Sequence, residues 1–131
     1  MFNLKIVTPN GIKENVQAKY VEFKTVEGSM GILTNRLPIV TKLKITSLKI
    51  VLEDGSNKIY AVHGGILDMD GDNMIILTTD AEKPEEIDVE TAIKAVEDAK
   101  ELLKTENDRL EKIKLMAKID KNMLRVDISK K

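Results

Sequence analysis

Glycine and proline divide this chain in two. All seven glycines and all three prolines of its 131 residues lie at or before Pro84, so nothing beyond that point forbids a helix. Before Pro84, short β-branched and aromatic runs alternate with turn signals. After it comes a mixture of Ala, Leu, Lys and Glu, all strong helix formers. The expected domains are residues 1–84 and 85–131.

In the first part, FNLKIVT sets Phe2, Leu4 and Ile6 against Asn3 and Lys5, and YVEFKT sets Val21 and Phe23 against Glu22 and Lys24. Period two means one buried face. LKITSLKIVLE, NKIYAV and NMIILTT continue the theme, separated by PNG, EGSMG, EDGSN, HGG and DGDN, which carry the residues tight reversals need. The spacing predicts an all-β sandwich or flattened barrel. Its expected core draws on Leu4, Ile6, Val21, Phe23, Ile32, Leu33, Val40, Leu43, Leu48, Ile50, Val62, Ile66, Ile75 and Leu77.

The second part predicts two helices. Asp88 is the N-cap candidate, with Glu85, Glu86 and Glu90 near the positive end of the helix dipole. Val89, Ala92, Val96, Ala99 and Leu103 then form one narrow apolar stripe. In DRLEKIKLMAKIDKNMLRVDI one expected arc holds Leu110, Ile113, Ala117 and Leu124, and another, nearly opposite, holds Leu115, Met116, Ile119, Met123 and Val126. Two faces ask for two partners. At the join, Thr105, Asn107 and Asp108 of TEND compete for backbone hydrogen bonds without prohibiting helix, so a through-running rod and an antiparallel hairpin both remain open. Straightening a hairpin exposes several apolar side chains, at a cost on the order of 5 to 12 kcal/mol. A compact free form is expected, and a rod only where a partner replaces the lost burial.

The net charge of −1 argues against a general nucleic-acid binder. Sign is nevertheless segregated: Arg109, Lys112, Lys114, Lys118, Lys121, Arg125, Lys130 and Lys131 face only Glu111, Asp120 and Asp127 in the last segment. This pattern fits either a solvated face complementing an acidic first helix or a basic surface for an acidic partner. No apolar stretch approaches the roughly 18 residues of a membrane span, and no leader pattern opens the chain, so a soluble, unprocessed protein without a direct lipid span is expected.

Catalytic and metal chemistry is sparsely represented. There is no cysteine, and His63 in AVHGG is the only histidine, read as a strand-end residue. Gly28 and Gly31 lack the lysine of a phosphate loop, and Gly64 and Gly65 open a strand. DMDGDN places Thr79 where a calcium loop needs glutamate. No metal site and no catalytic residue is expected.

Three segments in order, EGSMGILTNRLPIVTKL, VHGGILDMDGDNMIILTTDAE and IDVETAIKA, make the chain resemble the epsilon subunits of bacterial F-type ATP synthases. The resemblance implies a sandwich of about ten strands followed by a helical hairpin, in a non-catalytic central-stalk subunit of a proton- or sodium-translocating synthase. It implies a gamma-subunit partner, contact with the membrane c-ring through Glu27, Gly28, Ser29 and Met30, and a peripheral place on the cytoplasmic face of the bacterial membrane. It further implies that the helices can rise toward the alpha and beta subunits and block ATP hydrolysis, with Arg109, Lys112, Lys114, Lys118, Lys121 and Arg125 as the basic inhibitory helix. An ATP signature of such subunits is matched by Ile87, Asp88 and Ala92, but Thr91 stands where an arginine is expected, so ATP binding should be weak or absent. Arg36 also replaces the usual histidine. Two other classes stay open: a nucleotide-sensing module, discriminated by Thr91, and a coiled-coil interaction protein, which would self-associate.

Overall fold

The computed structural model describes residues 1–25, 28–33 and 38–129, in two compact units, Met1–Lys83 and Pro84–Lys131. Among the described residues the first unit has seven strands: β1 (Phe2–Thr8), β2 (Gly11–Thr25), β3 (Gly28–Leu33), β4 (Ile39–Leu52), β5 (Asn57–Asp70), β6 (Asn73–Leu77) and β7 (Ala81–Glu82). The path β1-β6-β5-β4-β2 closes on itself because β1 also pairs with β2. Strands β3 and β7 attach to β2 and β5. Closure removes the edges of these five strands. Seven strands fill the place expected of about ten because β2, β4 and β5 run 14 or 15 residues each without a break.

The long strands change their buried face on the way. In β4 and β5, Leu48, Ile50, Tyr60 and Val62 point inward at even positions, whereas Leu43, Leu67 and Met69 point inward at odd ones. The switch falls at Gly64 and Gly65, whose φ values of 80° and 134° few other residues adopt. A strict period of two carried straight through these glycines assigns the wrong face to the residues beyond them. Of the expected core, Val40, Ile66, Ile75 and Leu77 are exposed, by 70%, 44%, 40% and 50%, and Leu67, Met69, Met74 and Ile76 fill the interior instead. NMIIL is apolar at both parities; its pairing decides, since Met74 lies opposite Leu4 and Met69 and Ile76 opposite Ile6 and Leu67. Leu4, Ile6, Val21, Phe23, Leu43, Leu48, Ile50 and Val62 are buried as expected, joined by Phe2 and Tyr60. The side chains of Ile32 and Leu33 lie outside the description.

Tyr60 is fully buried, and its hydroxyl donates to the Glu14 carboxylate, which also accepts from Lys58 Nζ at 3.0 Å. Burial pushes the Glu14 carboxyl up, but the Tyr60 and Lys58 hydrogen bonds and the lysine charge outweigh it and hold the group below its ordinary 4.5. A depressed value contributes stability above the unfolded-state value, and that stability is lost as pH falls through the folded-state value. Glu14→Gln should therefore cost about 1 to 2 kcal/mol near neutrality. Denaturant titrations across pH should show the difference shrinking toward zero in acid.

In the second unit a single 3-10 turn (Pro84–Glu86) precedes helices α1 (Val89–Thr105) and α2 (Arg109–Ser129), which pack on each other. TEND breaks the helix. Glu106 leaves helical geometry at ψ 131°, and its carboxylate accepts the backbone N–H groups of Asn107 and Asp108 at 3.1 and 3.0 Å. Asp108 then caps α2 through the Leu110 N–H. The hairpin is thus the form adopted, and Glu106, overlooked among the breakers, supplies most of the turn.

Candidate functional site

Of the expected ring-contact residues, Glu27 lies outside the described residues, as does Arg36. The backbone of Gly28, Ser29 and Met30 opens β3, opposite Thr25, Lys24 and Phe23. Among the described residues β3 pairs only with β2, so this segment forms an edge.

At the nucleotide signature, Asp88 is the N-cap of α1, accepting the Thr91 N–H at 3.2 Å. The Thr91 hydroxyl and N–H hold the Asp88 carboxyl below its usual range. Residue 91 is therefore the cap's partner through its backbone N–H, and its exposed side chain is a neutral threonine where the signature has an arginine. Ile87 is half-buried, and Ala92 is buried on the stripe that also buries Ala99. Acidification should lower α1 helicity as pH falls through the depressed Asp88 value, a change readable by circular dichroism and absent in Asp88→Asn, whose cap is uncharged.

The basic residues of α2 do not form one stripe. Counting about 100° per residue, Lys114, Lys118, Lys121 and Arg125 share an arc of about 60°, whereas Arg109 and Lys112 project elsewhere. Lys121 and Arg125 are half-buried, and Arg125 Nη1 donates to Asn122 Oδ1 at 2.9 Å. Lys114 pairs with Glu111 at 3.5 Å. The apolar arcs are also redrawn. Leu115, Ile119 and Val126 are half-buried beside buried Asn122, while Met116 and Met123, expected with them, are exposed, as are Leu110 and Ile113. Helical steps of three and four admit both groupings, and contact with α1 selects between them.

His63 is buried within β5 rather than at a strand end, and its Nε2 lies 2.7 Å from Glu82 Oε1. Asp80 lies close enough to complete a three-group cluster. The 2.7 Å separation is that of a hydrogen bond, with Nε2–H donating to the Glu82 carboxylate, and Nδ1 is buried without a partner among the described residues. DMDGDN is a tight turn between β5 and β6, with Gly71 at φ 60°.

The family model for the ATP synthase, Delta/Epsilon chain, beta-sandwich domain matches residues 1–84. The chain belongs to this family. Across 94 residues it is 43% identical to the ATP synthase epsilon chain of Thermotoga petrophila, covering 72% of this chain and 86% of that one. Across 127 residues it is 34% identical to the ATP synthase epsilon chain of Brevibacillus brevis, covering 97% and 96%. Among solved structures, a chain of the Euglena gracilis mitochondrial ATP synthase OSCP/F1/c-ring assembly superposes with a TM-score of 0.82 at 25% identity, over 94% of this chain and 78% of that one. A chain of the Tetrahymena thermophila mitochondrial ATP synthase central stalk/c-ring shares the fold, with a TM-score of 0.65 at 14% identity over 98% and 96%. As an epsilon chain, the molecule is a non-catalytic subunit of an ATP synthase. Among the described residues no helix is long and apolar enough to cross a membrane.

Proposed function

We propose that this epsilon chain sits on the central stalk of its synthase, docks the sandwich on the gamma subunit, and uses the helical unit to restrain ATP hydrolysis. The observation that carries the reading is an uncovered apolar surface on each unit. On the sandwich, Leu77 pairs with Ile66 and with half-buried Val7, so aliphatic groups run side by side across β1, β6 and β5, with exposed Ile75 on the same face of β6 and exposed Val40 beyond Asp68 on β4. Such contiguous patches mark interaction sites. On α2, Leu110, Ile113, Met116 and Met123 are exposed; Leu110 borders the basic arc, whereas Met116 and Met123 lie on the opposite side of the helix near Arg109 and Lys112, so that apolar and basic groups alternate around it and suit a partner that is both apolar and acidic.

The segment from Glu27 to Met30 would meet the c-ring, and the assembled subunit would lie on the cytoplasmic face of the cell membrane. Because Thr91 offers one neutral hydroxyl where the signature has an always charged guanidinium, ATP should bind the isolated chain weakly or not at all; calorimetric titration should find no affinity in the micromolar range. The broader reading is tested by tagging the chain and capturing its complex from gently solubilised membranes. Gamma and the ring should co-purify, and a complex lacking gamma would reject the placement.

A further inference from the structure

We propose that Asn122 is a built-in weak point of the hairpin, a buried amide that makes the two helices easier to part. The inference rests on the reading of α2 as a regulatory tail. On α2, Leu115, Ile119, Asn122 and Val126 recur at steps of four, three and four and so share one face. Val126, with Met123, lines a groove of about 320 Å³ against Ile93 and Val96 of α1, which sets this side of α2 beside the other helix. Asn122 is 6% exposed, more deeply covered than its half-buried apolar companions on that face.

The hydrogen bonds of the amide determine what parting would do. Nδ2 donates to the Lys118 carbonyl at 2.8 Å, and Oδ1 accepts from Arg125 Nη1 at 2.9 Å. Both partners belong to α2, so both bonds travel with the helix. A leucine at this position would lose its burial when the helices separate, whereas the asparagine loses no partner and regains water for its remaining hydrogen. The residue thus withholds stabilisation from the closed form without leaving a buried polar atom unpaired in either form. A polar group in an apolar helix seam commonly trades stability for choice among states in this way.

The chain has no cysteine, so a single thiol introduced by Ala99→Cys, at a buried site on α1, reports parting through its labelling rate. Adding Asn122→Leu to the full chain should slow labelling about ten- to a hundredfold, the range expected from burying one more aliphatic side chain. Asn122→Met, unbranched and adaptable, should act in the same direction if leucine does not fit. Asn122→Ala, which removes both hydrogen bonds without adding bulk, should stay within about threefold of the parent. Labelling unchanged or faster in both the leucine and the methionine variants would overturn the proposal. In the assembled synthase the slow-labelling variants should hydrolyse ATP faster. Slow labelling with unchanged hydrolysis would keep the weak point and reject the regulatory reading.

Discussion

Gly65→Ala is expected to destabilise the β unit by about 3 kcal/mol or more and to lower its melting temperature by over about 10 °C. Two effects add. Gly65 has φ 134°, a conformation that strains any residue with a Cβ, and a Cβ built there would lie 2.0 Å from the Leu77 carbonyl oxygen. That oxygen is backbone, so it cannot swing aside as a flexible side chain would. Gly64 is the internal control: its φ of 80° is also left-handed, but the nearest atom to its Cβ would be 3.7 Å away, at the Leu43 carbonyl. Gly64→Ala should therefore show strain alone, about 1 kcal/mol. Thermal unfolding followed by circular dichroism separates the two, and equal losses would remove the close approach of β5 and β6 as the reason for the glycine.

The second large effect concerns binding rather than folding. Ile66→Asp with Leu77→Asp should weaken capture of the gamma subunit by about a hundredfold or more, because each change removes an aliphatic contact and asks the interface to desolvate a charge. Both side chains are exposed and pair with each other across β5 and β6, so folding stability should change by under about 1 kcal/mol. Two like charges opposite each other account for most of that allowance. A double variant that melts normally and binds gamma normally would move the docking surface to another face.

Much of this architecture is legible in the residues. The confinement of glycine and proline to one side of Pro84 marks the change from strands to helices, and the Asp88 cap and the TEND break sit where side-chain chemistry puts them. What resists reading is parity. Two adjacent glycines permit a switch of buried face, but nothing in AVHGGIL says that the switch occurs; only the pairing of Met74 and Ile76 with Leu4 and Ile6 decides it. The same holds for α2, where one sequence supports two groupings of apolar residues until a partner helix chooses. Long-range polar contacts are hidden for a related reason: Glu14 meets Lys58 and Tyr60, and His63 meets Glu82, across separations that no local motif records. Asn122 reads as an ordinary polar residue until its burial is known.

The helical unit is, on this view, a removable brake. A chain ending at residue 84 retains the closed barrel and its aliphatic core and should still join the complex through the sandwich. The most direct measurement is the steady-state rate of ATP hydrolysis by synthase reassembled with the full chain and with this shortened one, at equal occupancy of the stalk. Hydrolysis should be faster with the shortened chain. Equal or slower hydrolysis would contradict a braking role for the helices.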